Sequence, residues 1–316
     1  MDHKNVFIAG CPRSGTTWIH DIFRNRPDVI TNVESHIIPN LFKIVWLDLE
    51  NLNLAGRIRK ASRLIFDYKV LNPLQFLFGF SEKYFWKLLK YEYFRHKGTN
   101  IPQYISYDSY YKIVDEARVR DGSHVEKIGF IAKEVFEAYF TSSGGSPGKI
   151  FVDKTPSHIY HVDFILKNFP GAKIIEIVRD GRDVCVSLQK YEKDWCPDNR
   201  QAQIELWKGY IETGGKFRRN SAYAGSFLSV KYEDMLADRR REITRMFDFV
   251  GAPYTSETVE EVIEKTDFKK LKVKKGDGAH YRKGVAGDWR NSFSARDEEI
   301  VKKTAGNLLE EMGYKW

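Results

Sequence analysis

The sequence has few of the features that cross-link a chain or anchor it in a membrane. Its 3 cysteines, Cys11, Cys185 and Cys196, are too few and too scattered for a disulfide framework or a zinc site. No stretch approaches the roughly 18 uninterrupted apolar residues of a membrane-spanning helix, although peripheral membrane contact stays open. An apolar run and a glycine turn begin at once, which leaves no room for a signal peptide. These absences predict a cytoplasmic protein.

Neither sign of charge strongly predominates in the sequence. Lys and Arg outnumber Asp and Glu by 51 to 43, for a net charge of +8, which favours anionic ligands without choosing among nucleotides, nucleic acids and membrane surfaces. A basic run at 269–275 would suit a nucleic-acid-binding module. No recognised nucleic-acid motif accompanies this run, so we predict no nucleic-acid partner.

Short apolar runs that alternate with helical patterns are typical of an α/β fold. The segments that resemble buried parallel strands are Val6–Ala9, Lys149–Val152, Lys173–Val178 and Ser226–Lys231. We predict a single domain over 1–316, built as a three-layer sandwich with a central parallel sheet. A helical insertion is expected at about 41–145. Its many aromatic and basic residues would either pack on the core or form a wall over a ligand pocket.

A glycine loop joins the first predicted strand to the first helix. The segment Gly10–Trp18 reads G-C-P-R-S-G-T-T-W, and the backbone of such a loop can cradle a phosphate. Its G-x-x-x-x-G spacing is that of the P-loop NTPases and predicts a sheet of their kind. The Lys expected next is Thr16, however, and the cation is Arg13, inside the loop. This suits a 5′-phosphosulfate better than a magnesium-bound triphosphate, with a P-loop kinase or NTPase as the alternative.

The segment P-R-S-G-T-T-W resembles the 5′-phosphosulfate-binding loop of sulfotransferases that use 3′-phosphoadenosine 5′-phosphosulfate (PAPS). The resemblance implies that Arg13 bridges to the sulfonate and that Trp18 lies near the adenine. Cytosolic members usually carry Lys at the Arg13 position, whereas protein-tyrosine sulfotransferases and several bacterial relatives have Arg. The residues implied to hold the 5′-phosphate are Ser14, Gly15, Thr16 and Thr17.

A second phosphate site is indicated after the strand that ends at Val178. Arg179 at the strand end and Ser187, two turns into the next helix, can converge on one phosphate. The matching residues of the family bind the 3′-phosphate. The alternative is that Arg179 and Arg182 pair with Asp180 and Asp183 on the surface.

The C-terminal segment Tyr281–Arg290 resembles the R-K-G-x-x-G-D-W segment of cytosolic sulfotransferases. Two weaker matches, Y-E-D and T-x-F, resemble the segments that line the adenine. By this resemblance, which covers about 1–40 and 149–295, the 3′-phosphate ligands are Arg282, Lys283 and Gly284, and the adenine neighbours are Tyr232, Thr266 and Phe268.

Sulfonate transfer needs cations for the charge that builds on the leaving phosphate and a base for the acceptor hydroxyl. The cations are Arg13 and Lys154, whose K-T-P segment resembles the catalytic-lysine segment of the family. The alternative for Lys154 is a surface residue paired with Asp153.

The base differs from that of the cytosolic enzymes. Those enzymes use a His two residues after the catalytic Lys, where this chain has Pro156. The segment N-V-E-S-H-I-I-P resembles the base segment of the tyrosine enzymes, so the predicted base is Glu34, with His36 and His158 as alternatives.

The resemblance therefore implies a sulfotransferase that converts PAPS to 3′-phosphoadenosine 5′-phosphate (PAP) and needs no metal. The partner is an acceptor that bears a hydroxyl group. The aromatic insertion favours a small or lipid-like alcohol or phenol. The base segment resembles that of Golgi-type sulfotransferases, which include the enzymes for protein tyrosine and heparan chains, and this favours a carbohydrate or tyrosyl peptide. A non-catalytic relative is a further alternative, and the oligomeric state stays open.

Overall fold

The structure is a computed structural model, and it describes residues 3–45, 85–87, 89–90, 105–191, 195–267 and 284–316. The chain divides into two compact units, one made of Met1–Glu34 with Gly145–Trp316 and the other of Ser35–Gly144. The site predictions at Phe268, Arg282 and Lys283, like the basic run at 269–275, lie outside the described residues.

The larger unit is organised around a parallel sheet. Within the described residues it contains the strands β1 (Lys4–Ala9), β2 (Val29–Val33), β3 (Ile150–Lys154), β4 (Lys173–Val178) and β5 (Phe227–Lys231). Their order is β2-β3-β1-β4-β5, and every neighbouring pair is parallel. The predicted α/β fold with a central parallel sheet is confirmed, although β2 was not predicted.

The described helices follow in chain order. They are α1 (Thr16–Arg24), α2 (Ile37–Val45), α3 (Tyr107–Val119), α4 (His124–Ser142), α5 (Val162–Asn168), α6 (Gly181–Gln189), α7 (Arg200–Arg218), α8 (Tyr232–Ala237), α9 (Arg239–Val250), α10 (Ser256–Lys265) and α11 (Ala295–Glu311). Short 3₁₀ helices span Pro156–His161, Ser221–Tyr223 and Asp288–Asn291. None of the helices in the described ranges is long and apolar enough to cross a bilayer.

Both faces of the sheet are covered, as β1 illustrates. Consecutive residues of a strand point to opposite faces. Ile8 belongs to a buried cluster that includes Phe23 of α1 and Phe247 of α9. On the other face the ring of Phe7 contacts that of Phe169, with centroids 5.1 Å apart. The unit is therefore a three-layer sandwich, and its strands are buried because helices lie on each side.

The smaller unit contains α2, α3 and α4. The last of these begins at a capping box in which Ser123 and Glu126 satisfy each other's backbone N–H groups. Its buried residues Ile128, Ile131 and Val135 recur at helical spacing, so α4 presents an apolar stripe within this unit. The helical character predicted for this part of the chain agrees with the described residues. Its role as an insertion stays a prediction.

The parallel register brings several strand ends to one edge of the sheet. Val33 of β2 and Ile8 of β1 both pair with Lys154 of β3. Residues that follow these strands therefore emerge side by side, at the edge where α/β proteins bind their ligands.

Candidate active site

The glycine loop lies at this edge, between β1 and α1. Gly10 has φ 136° and Gly15 has φ 108°, values that favour glycine. A Cβ on Gly10 would overlap the carbonyl oxygen of Ile177, and one on Gly15 would lie 2.9 Å from the ring of Tyr232. The loop can therefore lie directly against β4. Helix α1 then begins at Thr16 without a side-chain cap, the arrangement in which a helix N-terminus accepts an anion.

We expect Gly10→Ala to destabilise the protein, because the new Cβ meets the Ile177 carbonyl and the backbone conformation is strained for Ala. The midpoint of thermal unfolding should fall by roughly 5 °C or more. Gly225→Ala is the matched control, since a Cβ there has nothing within 4 Å. Equal midpoints for the two variants, measured by circular dichroism, would contradict this account of the loop.

Arg13 projects from the loop towards α6. Its backbone is left-handed, with φ 71°, which is uncommon outside glycine. Its Nε donates to the Oγ of Ser187, 3.2 Å away, and its guanidinium carbon lies 4.2 Å from the ring centre of Tyr191. Two residues predicted from separate motifs, Arg13 and Ser187, are thus in direct contact.

Arg179 connects the loop to the C-terminal segment. Its Nη1 donates to the carbonyl of Arg13 at 3.3 Å, and its Nη2 donates to the carbonyl of Val285 at 3.0 Å. The guanidinium carbon lies 4.2 Å from the ring centre of Tyr232. Since Gly284 is the neighbour of Val285, a single buried guanidinium joins the two segments predicted to bind the 5′ and 3′ phosphates.

The pairing of Arg182 with Asp180 exists, but not at the surface. Two donors of Arg182 contact the Asp180 carboxylate, the shorter at 2.7 Å. The guanidinium carbon is buried 4.0 Å from the ring of Trp289 and 4.9 Å from that of Trp316. Arg182 therefore holds α6 to the C-terminal segment, and the surface alternative is wrong for this pair.

Asp183 is a structural residue of the site that the sequence did not reveal. Its carboxylate accepts the backbone N–H of Gly287 at 2.7 Å and that of Trp289 at 3.0 Å. Burial raises the pKa of Asp183, while the nearby Arg179 and these two N–H groups oppose the rise. The turn that follows Gly284 is thereby tied to α6. The only sequence signal for this contact was the fixed spacing of Gly287, Asp288 and Trp289 in the G-D-W motif.

Three residues predicted near an adenine lie in the core of the larger unit. The rings of Trp18 and Tyr232 meet edge to face with centroids 5.5 Å apart, and both are almost fully buried. Burial raises the pKa of the Tyr232 hydroxyl, and the Arg179 cation opposes the rise. The hydroxyl of Thr266 donates to the carbonyl of Val262 at 2.6 Å. Tyr232 lies between Trp18 and Arg179, so it links this aromatic pair to the phosphate segments.

Glu34 and Lys154 form an ion pair at the ends of β2 and β3. The Nζ of Lys154 lies 2.5 Å from the Oε1 of Glu34, and the side chains are 1% and 39% exposed. The Glu34 N–H also donates to the Lys154 carbonyl at 2.6 Å. Lys154 is therefore buried with its cation on Glu34, whereas Asp153 accepts the Thr155 hydroxyl. The reading of Lys154 as a surface residue is wrong.

The two histidines proposed as alternative bases differ in setting. His158 is fully buried, 3.5 Å from Asp153, with its ring edge-on to Phe7 at 5.3 Å. This burial argues against contact with an acceptor. His36 belongs to the smaller unit, where its carbonyl accepts the N–H of Asn40 in the first turn of α2.

A parallel α/β sheet with a glycine loop and clustered cations at its carboxyl edge defines a P-loop-like nucleotide-binding protein. Comparison with known families specifies the class further. The chain belongs to the sulfotransferase domain family, whose model matches residues 3–313. This match leaves no support for the P-loop kinase alternative.

Curated relatives are similar over part of their length. Sulfotransferase 1A1 of Bos taurus is 26% identical over 183 residues, which cover 46% of this chain and 58% of that protein. Sulfotransferase 2B1 of Homo sapiens is 29% identical over 158 residues, which cover 42% of this chain and 43% of that protein. The chain thus spans about half the length of the curated relatives it matches.

Two solved structures share the fold. Mouse sulfotransferase SULT7A1 complexed with PAP has a TM-score of 0.52 at 14% identity, covering 98% of this chain and 88% of its own. The sulfotransferase domain of the Synechococcus PCC 7002 olefin synthase also has a TM-score of 0.52, at 19% identity, covering 100% and 98%. At these identities the likeness shows the fold alone.

Proposed function

We propose that this chain transfers a sulfonate group from PAPS to an acceptor hydroxyl. Membership of the sulfotransferase domain family supports the reaction class. The observation that carries the proposal is the position of Arg179, which donates to a carbonyl in each of the two segments proposed to bind phosphate. A nucleotide with phosphates at both its 5′ and 3′ positions requires two such segments at one place.

The residues fit such a nucleotide chemically. The uncapped N-terminus of α1 and the glycine loop suit the 5′ side. Arg179 and Ser187 suit the 3′ side, and the Nε of Arg179 is buried without a hydrogen-bond partner among the described residues, as expected of a group that serves an anion. Phe268, Arg282 and Lys283 remain proposed ligands on the resemblance of their motifs.

The transfer step is assigned to Glu34, Lys154 and Arg13. PAPS supplies the sulfonate, and transfer forms an acceptor oxygen–sulfur bond while the sulfur–oxygen bond to the 5′-phosphate breaks. Glu34 takes the proton from the acceptor hydroxyl. Lys154 and Arg13 stabilise the negative charge that appears on the phosphate oxygen.

A titration of nucleotides without magnesium tests the donor assignment. We expect PAP to bind more tightly than ATP and duplex DNA, because the cations of the site are arranged for a separate 3′-phosphate. Isothermal titration calorimetry measures all three dissociation constants on the same sample. Tighter binding of ATP or DNA than of PAP would refute the proposed donor.

The acceptor is proposed to be a small or lipid-like alcohol or phenol. Two residues close in sequence to the catalytic residues have exposed apolar surface: Val33, which precedes Glu34, is 46% exposed, and Tyr160, six residues after Lys154, is 47% exposed. The Tyr160 ring lies 4.9 Å from that of Tyr210, whose hydroxyl is close enough to Glu34 to interact electrostatically. Aromatic surface of this kind suits an aromatic or apolar acceptor. A tyrosyl or carbohydrate acceptor is the second candidate, since the segment of the proposed base resembles that of Golgi-type sulfotransferases.

We expect Tyr160→Ala to raise the KM for a phenolic acceptor by about tenfold, because the variant loses the ring that contacts the acceptor. The KM for PAPS should change less, because Tyr160 is not among the residues proposed to bind its phosphates. Initial rates with 2-naphthol and labelled PAPS give both constants. An unchanged phenol KM, or a panel in which glycans or peptides are preferred to phenols, would contradict the acceptor assignment.

The proposed location is the cytoplasm. Cys11 and Cys185 are buried as free thiols, which fits a reducing compartment.

A further inference from the structure

Tyr191 lies directly beside the cation that the proposed function places on the transferring group. Helix α6 ends at Gln189, and the Tyr191 N–H donates to the Leu188 carbonyl at 3.0 Å, so the helical turn continues to Tyr191. Tyr191 is four residues after Ser187, a spacing that puts the two side chains on one face. Both of them contact Arg13.

The two contacts on Arg13 are complementary. Ser187 accepts from Nε at the edge of the guanidinium, 3.2 Å away, and Tyr191 covers its face, with the ring centre 4.2 Å from the guanidinium carbon. A ring stacked on the face of a guanidinium attracts the cation without consuming any of its N–H donors. The in-plane donors keep their geometry for an anion.

Arg13 benefits from such support because its long side chain must be held in one position. It has φ 71° in a loop bounded by two glycines, and a long side chain loses rotamer freedom when it is held in one position. Trp195, whose ring centre lies 5.9 Å from that of Tyr191, backs the Tyr191 ring in turn.

Resting on the proposed function, we infer that Tyr191 is a positioning residue, whose ring fixes the Arg13 guanidinium for sulfonate transfer. Stacking on an aromatic ring is a property of the planar guanidinium, and a Lys ammonium at this position would depend on it less. Tyr191 therefore matters to this chain because the loop cation is Arg.

The test is a double-mutant cycle between Arg13 and Tyr191, read by labelled PAPS turnover and by PAP binding. We expect Tyr191→Ala to lower kcat by about tenfold, while the dissociation constant of PAP, which has no sulfonate, stays unchanged. Tyr191→Phe keeps the ring and should restore kcat. In an Arg13→Lys background, Tyr191→Ala should cost much less. Tyr254→Ala, an exposed truncation remote from the site, controls for a general effect of losing a ring.

Three results would overturn the inference: an unchanged kcat for Tyr191→Ala, a Phe variant as slow as the Ala variant, or an equal loss in the parent and in the Arg13→Lys background. Each variant is first compared with the parent by circular dichroism and unfolding midpoint, so that a folding defect is recognised. If the parent is active and Tyr191→Ala has the same kcat as the parent, only the role of Tyr191 is refuted. An inactive parent that also fails to bind PAP refutes the proposed function itself.

Discussion

Glu34→Gln is expected to lower the rate of sulfonate transfer by roughly 10²- to 10⁴-fold, the usual contribution of a general base. The amide is nearly the same size as the carboxylate but cannot accept the acceptor's proton. Its oxygen can still accept the hydrogen bond from Lys154 Nζ, which joins Glu34 at 2.5 Å in the parent. The variant should therefore fold, and its affinity for PAP should stay close to that of the parent.

The matched control is Glu212→Gln, which alters another Glu–Lys pair. Glu212 lies on the exposed side of α7, 3.7 Å from Lys208, where an ion pair contributes little. Its turnover should equal that of the parent. Stopped-time assays with labelled PAPS give the rates, and calorimetry gives the PAP affinities. Near-normal turnover by Glu34→Gln would remove Glu34 from the mechanism and leave the transfer without its proposed base.

Arg179→Ala is expected to weaken PAP binding by roughly 100-fold or more, because hydrogen bonds to charged groups contribute about 1.5–3 kcal/mol each. The variant loses the proposed 3′-phosphate ligand. It also loses both carbonyl contacts, to Arg13 and to Val285, that join the two segments of the site. Arg179→Lys keeps the charge but cannot span two carbonyls with one planar group, so it should recover only part of the affinity.

Arg219→Ala is the control for loss of a positive charge. Its guanidinium is 62% exposed and pairs with Glu311 at the surface, so PAP binding should be unaffected. Because Arg179 is buried, affinities are measured well below the unfolding midpoint of each variant. Calorimetric titration with PAP and with adenosine 5′-phosphate separates the two phosphates. The Arg179→Ala loss should be larger for PAP than for adenosine 5′-phosphate, and equal losses for both would contradict the 3′ assignment.

Much of the fold follows from local sequence. The apolar runs before Gly10, Lys154 and Arg179 can be buried only between helices, and they became β1, β3 and β4. The glycine loop was predictable because an apolar run precedes Gly10 and an amphipathic helical pattern begins directly after Gly15. This order is typical of a strand–loop–helix unit. The helix carrying Ser187 was likewise found, since it follows a strand end directly.

The contact between Glu34 and Lys154 could not be predicted from the motif alone. It depends on β2, Val29–Val33, in which the polar residues Thr31 and Asn32 interrupt the apolar run. Its β-branched content was the available signal. The register in which Val33 pairs with Lys154 is a long-range property, and it places residue 34 beside the lysine.

Contacts between distant segments were also beyond the sequence. The Asp183 carboxylate reaches the N–H groups of Gly287 and Trp289, more than 100 residues away in the chain. The alternation of Arg and Asp over 179–183 suggested local pairing, which holds for Arg182 with Asp180 but inside the protein. Whether the Arg182–Asp180 pair lies at the surface or inside the protein depends on the C-terminal segment that covers α6.

The most direct test of sulfonate transfer measures the passage of a ³⁵S label from PAPS to an acceptor. The protein is incubated with ³⁵S-labelled PAPS and a panel of phenols, sterols, glycans and tyrosyl peptides, and products are separated chromatographically. We expect a labelled acceptor, formed in equal amount with PAP and at a rate roughly 10²- to 10⁴-fold lower with Glu34→Gln. PAPS left intact with every acceptor, in a protein that binds PAP and is folded, would contradict the proposed transfer.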